Sequence, residues 1–111
     1  MDTKTFSALA EPNRFRIVEL LREQPYSVNE FVKLLKIRQP QASKHLRILN
    51  DAGLVIVKPV AQQRIYTLNP DAFFQLDEWV NLFNKSWNAR LDKLDEHLKS
   101  NNKKGSDHDT N

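Results

Sequence analysis

The sequence predicts a mainly α-helical protein with one small β-hairpin, in the order α-α-α-α-β-β-α. Apolar residues recur at spacings of three and four in five segments, which is typical of helices that bury one face. Two short runs rich in strand-forming residues, Leu54–Lys58 and Ile65–Leu68, lie between the fourth and fifth segments. Proline, glycine and capping residues stand where one segment gives way to the next, so they locate most boundaries.

The first two predicted helices meet at Glu11-Pro12. The first helix runs from Thr3 to Ala10. Pro12 suits the first turn of the second helix, because a residue there needs no N–H donor, and Gln24-Pro25 ends that helix. Its spacing predicts a buried face made of Phe15, Ile17, Val18, Leu20 and Leu21.

Helices three and four follow, joined by a short turn. Ser27 and Glu30 form a predicted capping box at the start of the third helix, which ends near Lys36. The fourth helix runs from about Gln39 to Ala52, and Gly53 supplies the left-handed residue that often follows a helix. Its inward face is predicted to consist of Ala42, Leu46 and Leu49.

The polar residues Ala61–Arg64 join the two predicted strands into a hairpin. Asn69 then caps a long final helix over about residues 70–98. Residues 99–111 carry no apolar side chain, so we expect a disordered tail. We therefore predict one domain over residues 1–98, with the final helix as part of it.

Length and composition argue against several classes of protein. A chain of 111 residues suits one domain, and without cysteine it has neither disulfides nor thiolate metal ligands. We find no signal peptide and no apolar run of membrane-spanning length, so we expect a cytoplasmic protein without membrane insertion. We do not expect an enzyme, because the sequence offers no nucleophile–base pair and no glycine-rich phosphate loop.

Charge is unevenly distributed, although the formal net charge is only +3. From Arg38 to Arg64, five basic residues stand against one acidic residue, whereas Asp71–Leu98 has three basic and six acidic residues. This asymmetry favours one surface that faces a polyanion and another that faces away from it. Ordinary solvation of a charged surface is the alternative explanation.

Two consecutive helices with a tight turn, followed by a hairpin, are the winged helix-turn-helix arrangement. In this arrangement the second helix enters the major groove of DNA and meets base edges with polar side chains. Gln39, Gln41 and Ser43 on the fourth helix are therefore candidate base-reading residues, and Lys44 and Arg47 suit phosphates. A merely solvated helix face would carry similar side chains.

Further basic residues flank this helix. Arg64 in the hairpin is a candidate for the minor groove or a phosphate, and Arg38 and Lys58 are candidates for the DNA backbone. His45 lies at the edge of the inward face, where we expect it to be partly buried and to bond a backbone group. A metal role for His45 is not expected, because no second ligand is suitably spaced.

The final helix carries more apolar surface than a small domain can bury on its own. A continuous apolar stripe of this length marks an interface when it is exposed, so we predict a homodimer through the terminal helices. Folding of this helix back onto its own core is the alternative. The predicted interface residues are Phe6, Leu9, Trp79, Phe83, Trp87, Leu91, Leu94 and Leu98.

Several segments resemble the ArsR-type (ArsR/SmtB) repressors. Phe6–Arg14 (FSALAEPNR) with Ile17–Leu21 resembles the opening of that family, and Gln39–Leu49 (QPQASKHLRIL) with Ala52–Val55 resembles its recognition helix. Arg64–Leu68 resembles the returning strand of its wing, and the last helix from Trp87 to Leu98 resembles that of one branch. The likeness covers roughly residues 5 to 98.

The resemblance implies a homodimer that binds an operator with inverted symmetry and represses transcription. It places Gln39, Gln41, Ser43 and Lys44 at positions that face the major groove, and Arg64 at the wing arginine. Metal-sensing members use cysteines on the third helix or paired Asp and His side chains on the last helix. This chain has no cysteine, and His97, although acidic residues stand near it in the sequence, lacks a second histidine at the spacing of those sites. The resemblance is therefore to the branch without metal, which includes SdpR-type autorepressors, and no cofactor is expected.

Two features depart from that pattern. Arg38 stands where a serine or threonine often caps the recognition helix, so the helix start is expected to be less well capped, by up to about 1 kcal/mol. The hairpin lacks the usual glycine at its tip, which leaves the geometry of the wing open.

The sequence thus predicts a DNA-binding transcriptional regulator, most simply a homodimeric repressor of its own gene or of others. The alternative is a winged-helix module whose main partner is another protein. The sequence leaves open the operator, activation as opposed to repression, and the releasing signal, which is a small-molecule inducer, a sequestering partner or dilution of the protein.

Overall fold

Five helices and three short strands follow one another in the computed structural model, which describes the backbone of residues 2–101 and the side chains of residues 2–98. The predicted order of helices and hairpin is confirmed, and one short strand is added before the third helix. The elements are α1 (Thr3–Leu9), α2 (Pro12–Leu21), β1 (Tyr26–Ser27), α3 (Val28–Leu35), α4 (Gln39–Asp51), β2 (Val55–Val60), β3 (Gln63–Leu68) and α5 (Pro70–Asn101).

The chain divides into two compact units, with the boundary inside α5 between Leu76 and Asp77. The first unit has a core in which six side chains are almost completely buried. These are Ile17 from α2, Phe31 from α3, Leu46 and Leu49 from α4, and Leu54 and Val55 at the start of the hairpin. Since they come from every layer of this unit, the core fixes α4 against the helices before it and the strands after it.

One predicted core residue lies outside the core. Phe15 was placed on the buried face of α2, but its side chain is 50% exposed, whereas Ile17, Val18 and Leu21 are buried. Phe15 stands two residues before Ile17 and therefore points to nearly the opposite side of the helix.

Local signals set the ends of α3 and α4. The Ser27 hydroxyl accepts the Glu30 N–H (3.2 Å), and the Glu30 carboxylate accepts the Ser27 N–H (2.8 Å), which completes the predicted capping box. Lys36 ends α3 with a left-handed φ of 56°, and Gly53 follows α4 with a φ of 80°. Because α3 ends at Leu35 and α4 begins at Gln39, only a short turn separates the two helices.

The sheet is antiparallel, with β3 in the centre and β1 and β2 at the edges. Tyr26 of β1 pairs with Tyr66, and β2 pairs with β3 from Val55–Leu68 to Val60–Gln63. The hairpin turn is therefore two residues long, Ala61 and Gln62, and not the four that the sequence predicted. Arg64 belongs to β3, opposite Pro59, because strand pairing continues up to the turn.

Asn69 links the end of the hairpin to the start of α5. Its side chain accepts the Asp71 N–H (3.1 Å), as expected of an N-cap, and donates to the carbonyl of Gly53 (2.9 Å). The helix continues past Leu98 to Asn101, so it includes the first residues of the predicted tail. The remainder of that tail, residues 102–111, lies outside the described residues. In the described part of the chain, no helix is both long and apolar enough to cross a membrane.

Candidate nucleic-acid interface

A groove runs between α4 and the hairpin of the first unit. From α4 it is lined by residues that recur every three or four positions and so share one face of the helix. From the hairpin it is lined by Arg64 and Tyr66 of β3. The lining residues are Val28, Gln39, Pro40, Ser43, Lys44, Arg47, Asn50, Arg64 and Tyr66.

The groove is basic and polar. Lys44, Arg47 and Arg64 line it, and none of its lining residues, all within the described part of the chain, is acidic. Gln39 opens α4, so the free N–H groups and the positive end of this helix lie at the same place. Cationic side chains beside a helix N-terminus attract phosphate groups, and the amide and hydroxyl of Gln39 and Ser43 can bond base edges.

Of the four residues predicted to read bases, three line the groove and Gln41 does not. The Gln41 side-chain oxygen accepts the backbone N–H of Arg38 (3.0 Å), and the Arg38 carbonyl accepts the N–H groups of Gln41 and Ala42 (both 3.0 Å). The Arg38 side chain makes no cap bond, since a guanidinium can only donate. Gln41 thus supplies the half of a capping box that comes from the third position of the helix, whereas the half that a serine or threonine at position 38 would supply is not made by Arg38.

The residues predicted for the DNA backbone are divided between two places. Arg47 and Arg64 line the groove, whereas Arg38 and Lys58 are exposed and do not. Lys58 lies on β2, opposite Ile65. All four side chains are exposed.

Asn50 lines the groove but was not singled out from the sequence. It stands three residues after Arg47 and seven after Ser43, which are spacings that keep a residue on the same face of a helix. The helical spacing therefore places Asn50 on the groove face. A single asparagine near a helix end, however, does not distinguish a ligand contact from a solvated side chain.

His45 is half-buried on α4, as expected, but its partner is a side chain and not a backbone group. Its Nδ1 lies 3.3 Å from Nη1 of Arg14 on α2 and 3.8 Å from the carboxylate of Glu11. Among the residues that the structure describes, no group of three or more histidine, aspartate or glutamate side chains is placed to hold a metal ion.

The second unit contains the apolar stripe predicted on the final helix. Eight large apolar side chains between Trp79 and Leu98 are each 38–63% exposed, and Trp79 and Phe83 form an edge-to-face pair at 4.8 Å. The stripe includes the predicted interface residues Trp79, Phe83, Trp87, Leu91, Leu94 and Leu98. In the first unit, Phe6 is 37% exposed, whereas Leu9 is partly buried against the core.

Comparison with known proteins gives consistent matches. The family profile described as "Bacterial regulatory protein, arsR family" matches residues 11–57. The HTH-type transcriptional repressor SmtB of Mycobacterium tuberculosis is 43% identical over 61 residues, which are 55% of this chain and 45% of that protein. The HTH-type transcriptional regulator MJ0229 of Methanocaldococcus jannaschii is 33% identical over 75 residues, 64% of this chain and 79% of that protein.

The fold is also shared with solved structures. A crystal structure of a "possible transcriptional regulator for arsenical resistance" matches with a TM-score of 0.63 and 32% identity, over 87% of this chain and 97% of that one. The chain spans less than two thirds of the length of several curated relatives, 45% to 63%. The region that the family profile matches includes α4 and its groove-lining residues, but not Arg64 and Tyr66 of β3.

Proposed function

The chain belongs to the ArsR family of bacterial regulatory proteins, and from that premise we propose that it is a sequence-specific DNA-binding regulator, most simply a homodimeric repressor. The groove between α4 and the hairpin is the observation that supports this proposal, because it gathers polar and cationic side chains on one helix face. A cytoplasmic location follows from the proposed partner, chromosomal DNA.

We assign base reading to the groove side of α4. Gln39 and Ser43 are proposed to read bases, and Lys44 and Arg47, which line the same groove, are proposed to contact phosphates. Gln41 keeps its predicted base-reading role only through the N–H donors of its side-chain amide, because the side-chain oxygen caps the helix. Arg64 faces α4 across the groove and is proposed to hold a phosphate or enter the neighbouring minor groove, while Arg38 and Lys58 extend the backbone contacts.

We propose that a second copy of the chain covers the apolar stripe of α5, over about residues 70–98. Side chains this large and this exposed are unfavourable in water, and their spacing of three and four matches a helix packed lengthwise on another helix. Phe6 and Leu9 are proposed to extend the interface. A twofold dimer can place two recognition helices about 34 Å apart, one duplex turn, which suits an inverted-repeat operator.

The name of the SmtB relative supports repression as the mode of action. We place the chain in the branch without metal, because its sequence has no cysteine and no second histidine at the spacing that metal sites on the last helix use. Release from DNA is then expected to follow from a small molecule, a sequestering protein or a fall in protein concentration.

A salt titration tests the proposal. Affinity is measured for the DNA upstream of the chain's own gene and for random duplex of equal length. A preference of about a thousandfold with a steep loss of affinity as salt rises is expected of a specific repressor, and points to autoregulation. Equal, weak binding to both would contradict an autoregulatory operator, and a genomic selection that also enriches no DNA would favour a protein partner.

A further inference from the structure

One arginine on α2 connects the first helix with the recognition helix, α4. The Nε of Arg14, on α2, donates to the carbonyl of Ala8 at the end of α1 (2.7 Å). Its Nη1 lies 3.3 Å from Nδ1 of His45 on α4. A single guanidinium therefore contacts both α1 and α4, which are distant in sequence.

The chemistry of this contact fixes the state of the histidine. A guanidinium has only N–H donors, so Nδ1 of His45 must be the acceptor. A hydrogen bond at this position therefore requires the tautomer that carries its proton on Nε2. Such a bond is directional, because the acceptor lone pair lies in the plane of the ring.

Glu11 caps α2 beside this contact. Its carboxylate accepts the backbone N–H of Arg14 (2.8 Å) and lies 3.8 Å from Nδ1 of His45, beyond hydrogen-bond distance. The His45 side chain is 15% exposed and that of Glu11 is 32% exposed, so water screens this cluster less than it screens a surface pair.

The position of His45 on α4 gives the contact a geometric consequence. Ser43 lines the groove, and His45, two residues later, leaves the helix on nearly the opposite side. With side chains about 5–6 Å from the helix axis, a rotation of α4 by about 10° moves a base-reading atom by about 1 Å. Base-edge hydrogen bonds tolerate less than that, whereas phosphate contacts tolerate more.

We propose that Arg14 and His45 are positioning residues that set the rotation of the recognition helix about its own axis, and so its sequence selectivity. The inference depends on the proposed DNA-binding function. The buried residues Ala42, Leu46 and Leu49 keep α4 against the core, but such packing is not directional. The Arg14–His45 bond adds the directional restraint.

Five variants test this inference, four single substitutions and the double variant that combines His45→Leu with Arg14→Met. His45→Leu keeps side-chain bulk and removes the acceptor, and His45→Asn restores an acceptor oxygen close to the position of Nδ1. Arg14→Met keeps an apolar stem and removes the donors. Arg16→Met is the matched control, because Arg16 lies on the same helix and is exposed.

Each variant is measured against a duplex that the wild-type chain selects from a random pool, and against random duplex of equal length. His45→Leu and Arg14→Met are each expected to lose roughly tenfold in the ratio of the two affinities. The double variant should lose no more than either single one, since both changes break the same bond. His45→Asn should recover most of the selectivity, and Arg16→Met should keep the wild-type ratio.

The outcomes separate this inference from the proposed function. If the wild-type chain selects no DNA, both are overturned. If it selects DNA and the Leu and Met variants keep its selectivity, or if their effects add, the positioning role alone is overturned. Thermal unfolding of every variant identifies any loss of selectivity that only reflects unfolding.

A measurement on the wild-type chain keeps the inference testable even if the leucine variant does not fold. Nitrogen-15 NMR of the neutral imidazole distinguishes a protonated from an unprotonated ring nitrogen. The contact requires an unprotonated Nδ1 and a protonated Nε2 in His45. The opposite tautomer would overturn the proposal.

Discussion

At the scale of single residues, the neighbours Ser43 and Lys44 on α4 are expected to have different roles in DNA binding. Ser43 is half-buried in the groove and Lys44 is exposed beside it. Ser43→Ala should cost about 1–3 kcal/mol in discrimination between operator and random DNA if the hydroxyl bonds a base. Competition binding with the two duplexes measures this difference, and an equal loss on both would contradict base reading by Ser43.

Lys44→Ala is expected to behave in the opposite manner. A lysine that contacts a phosphate contributes similarly to every sequence and releases a counterion when it binds. The variant should therefore weaken binding to both duplexes and reduce the salt slope by about one unit. An unchanged slope would place Lys44 away from the phosphates.

Gln41 is the residue whose predicted role changes most. Because its side chain caps α4, Gln41→Ala should lower the free energy of unfolding by about 1 kcal/mol. Gln41→Glu should retain that stability, since either side chain serves at the third position of a capping box. Gln39→Ala is the control, as it removes the same side chain two residues earlier. Equal stability of all three by chemical denaturation would exclude the capping role.

At the scale of elements, the hairpin turn carries strain. Ala61 has a φ of 57°, at the first position of a two-residue turn that normally places glycine there. An L-residue in that region costs about 1–2 kcal/mol, and glycine costs about 0.4–1 kcal/mol through the greater freedom of the unfolded chain.

Ala61→Gly should therefore stabilise the protein by about 0.5–1 kcal/mol, the difference between those two terms. Gln62→Gly, at the neighbouring position without a positive φ, should destabilise it instead. Thermal unfolding and amide hydrogen exchange across β2 and β3 measure both effects. A destabilised Ala61→Gly variant would mean that the turn is not strained.

The sequence predicted the helices better than the strands because helix ends carry local signals. Ser27, Glu30, Gly53 and Asn69 each act through residues close by in the chain, so their roles are visible without a fold. β1 has only two residues and forms because it pairs with β3, which is distant in the sequence. A local sequence pattern cannot predict such a strand. The short turn at Ala61 was missed for the same reason, since pairing of Pro59 with Arg64 extends both strands.

The candidate site was predictable to the extent that it follows helix periodicity. Gln39, Ser43 and Arg47 share a face by spacing alone, and the structure brings Arg64 to that face. The diversion of Gln41 into a cap and the contact of His45 with Arg14 depend on side-chain placement between elements. Periodicity assigns a residue to a face but does not identify its partner.

At the scale of the whole molecule, the exposed stripe of α5 leads to a prediction about assembly. Trp87→Glu should raise the dissociation constant of the proposed dimer roughly thirtyfold or more, because buried tryptophans commonly dominate interfaces. Operator affinity should fall with it, since two half-sites must be bound together. Light scattering over a range of protein concentrations measures the change.

Asn88→Glu is the matched control for that experiment. It adds the same charge at the next position, where the wild-type side chain is already polar and exposed. A dimer that survives Trp87→Glu, or one that fails equally in both variants, would show that the stripe is not the interface.

The edge position of β2 leaves one side of this strand without a neighbouring strand in the sheet that the structure describes. Leu54–Val57 is a run of four strand-forming apolar residues, the kind of segment that adds to the same segment of other chains and starts fibrillar aggregation. Lys58 and Pro59 follow this run directly on the same edge strand, where a charge and a missing N–H both discourage such addition. The wing is thus protected against aggregation by the residues that lead into its turn.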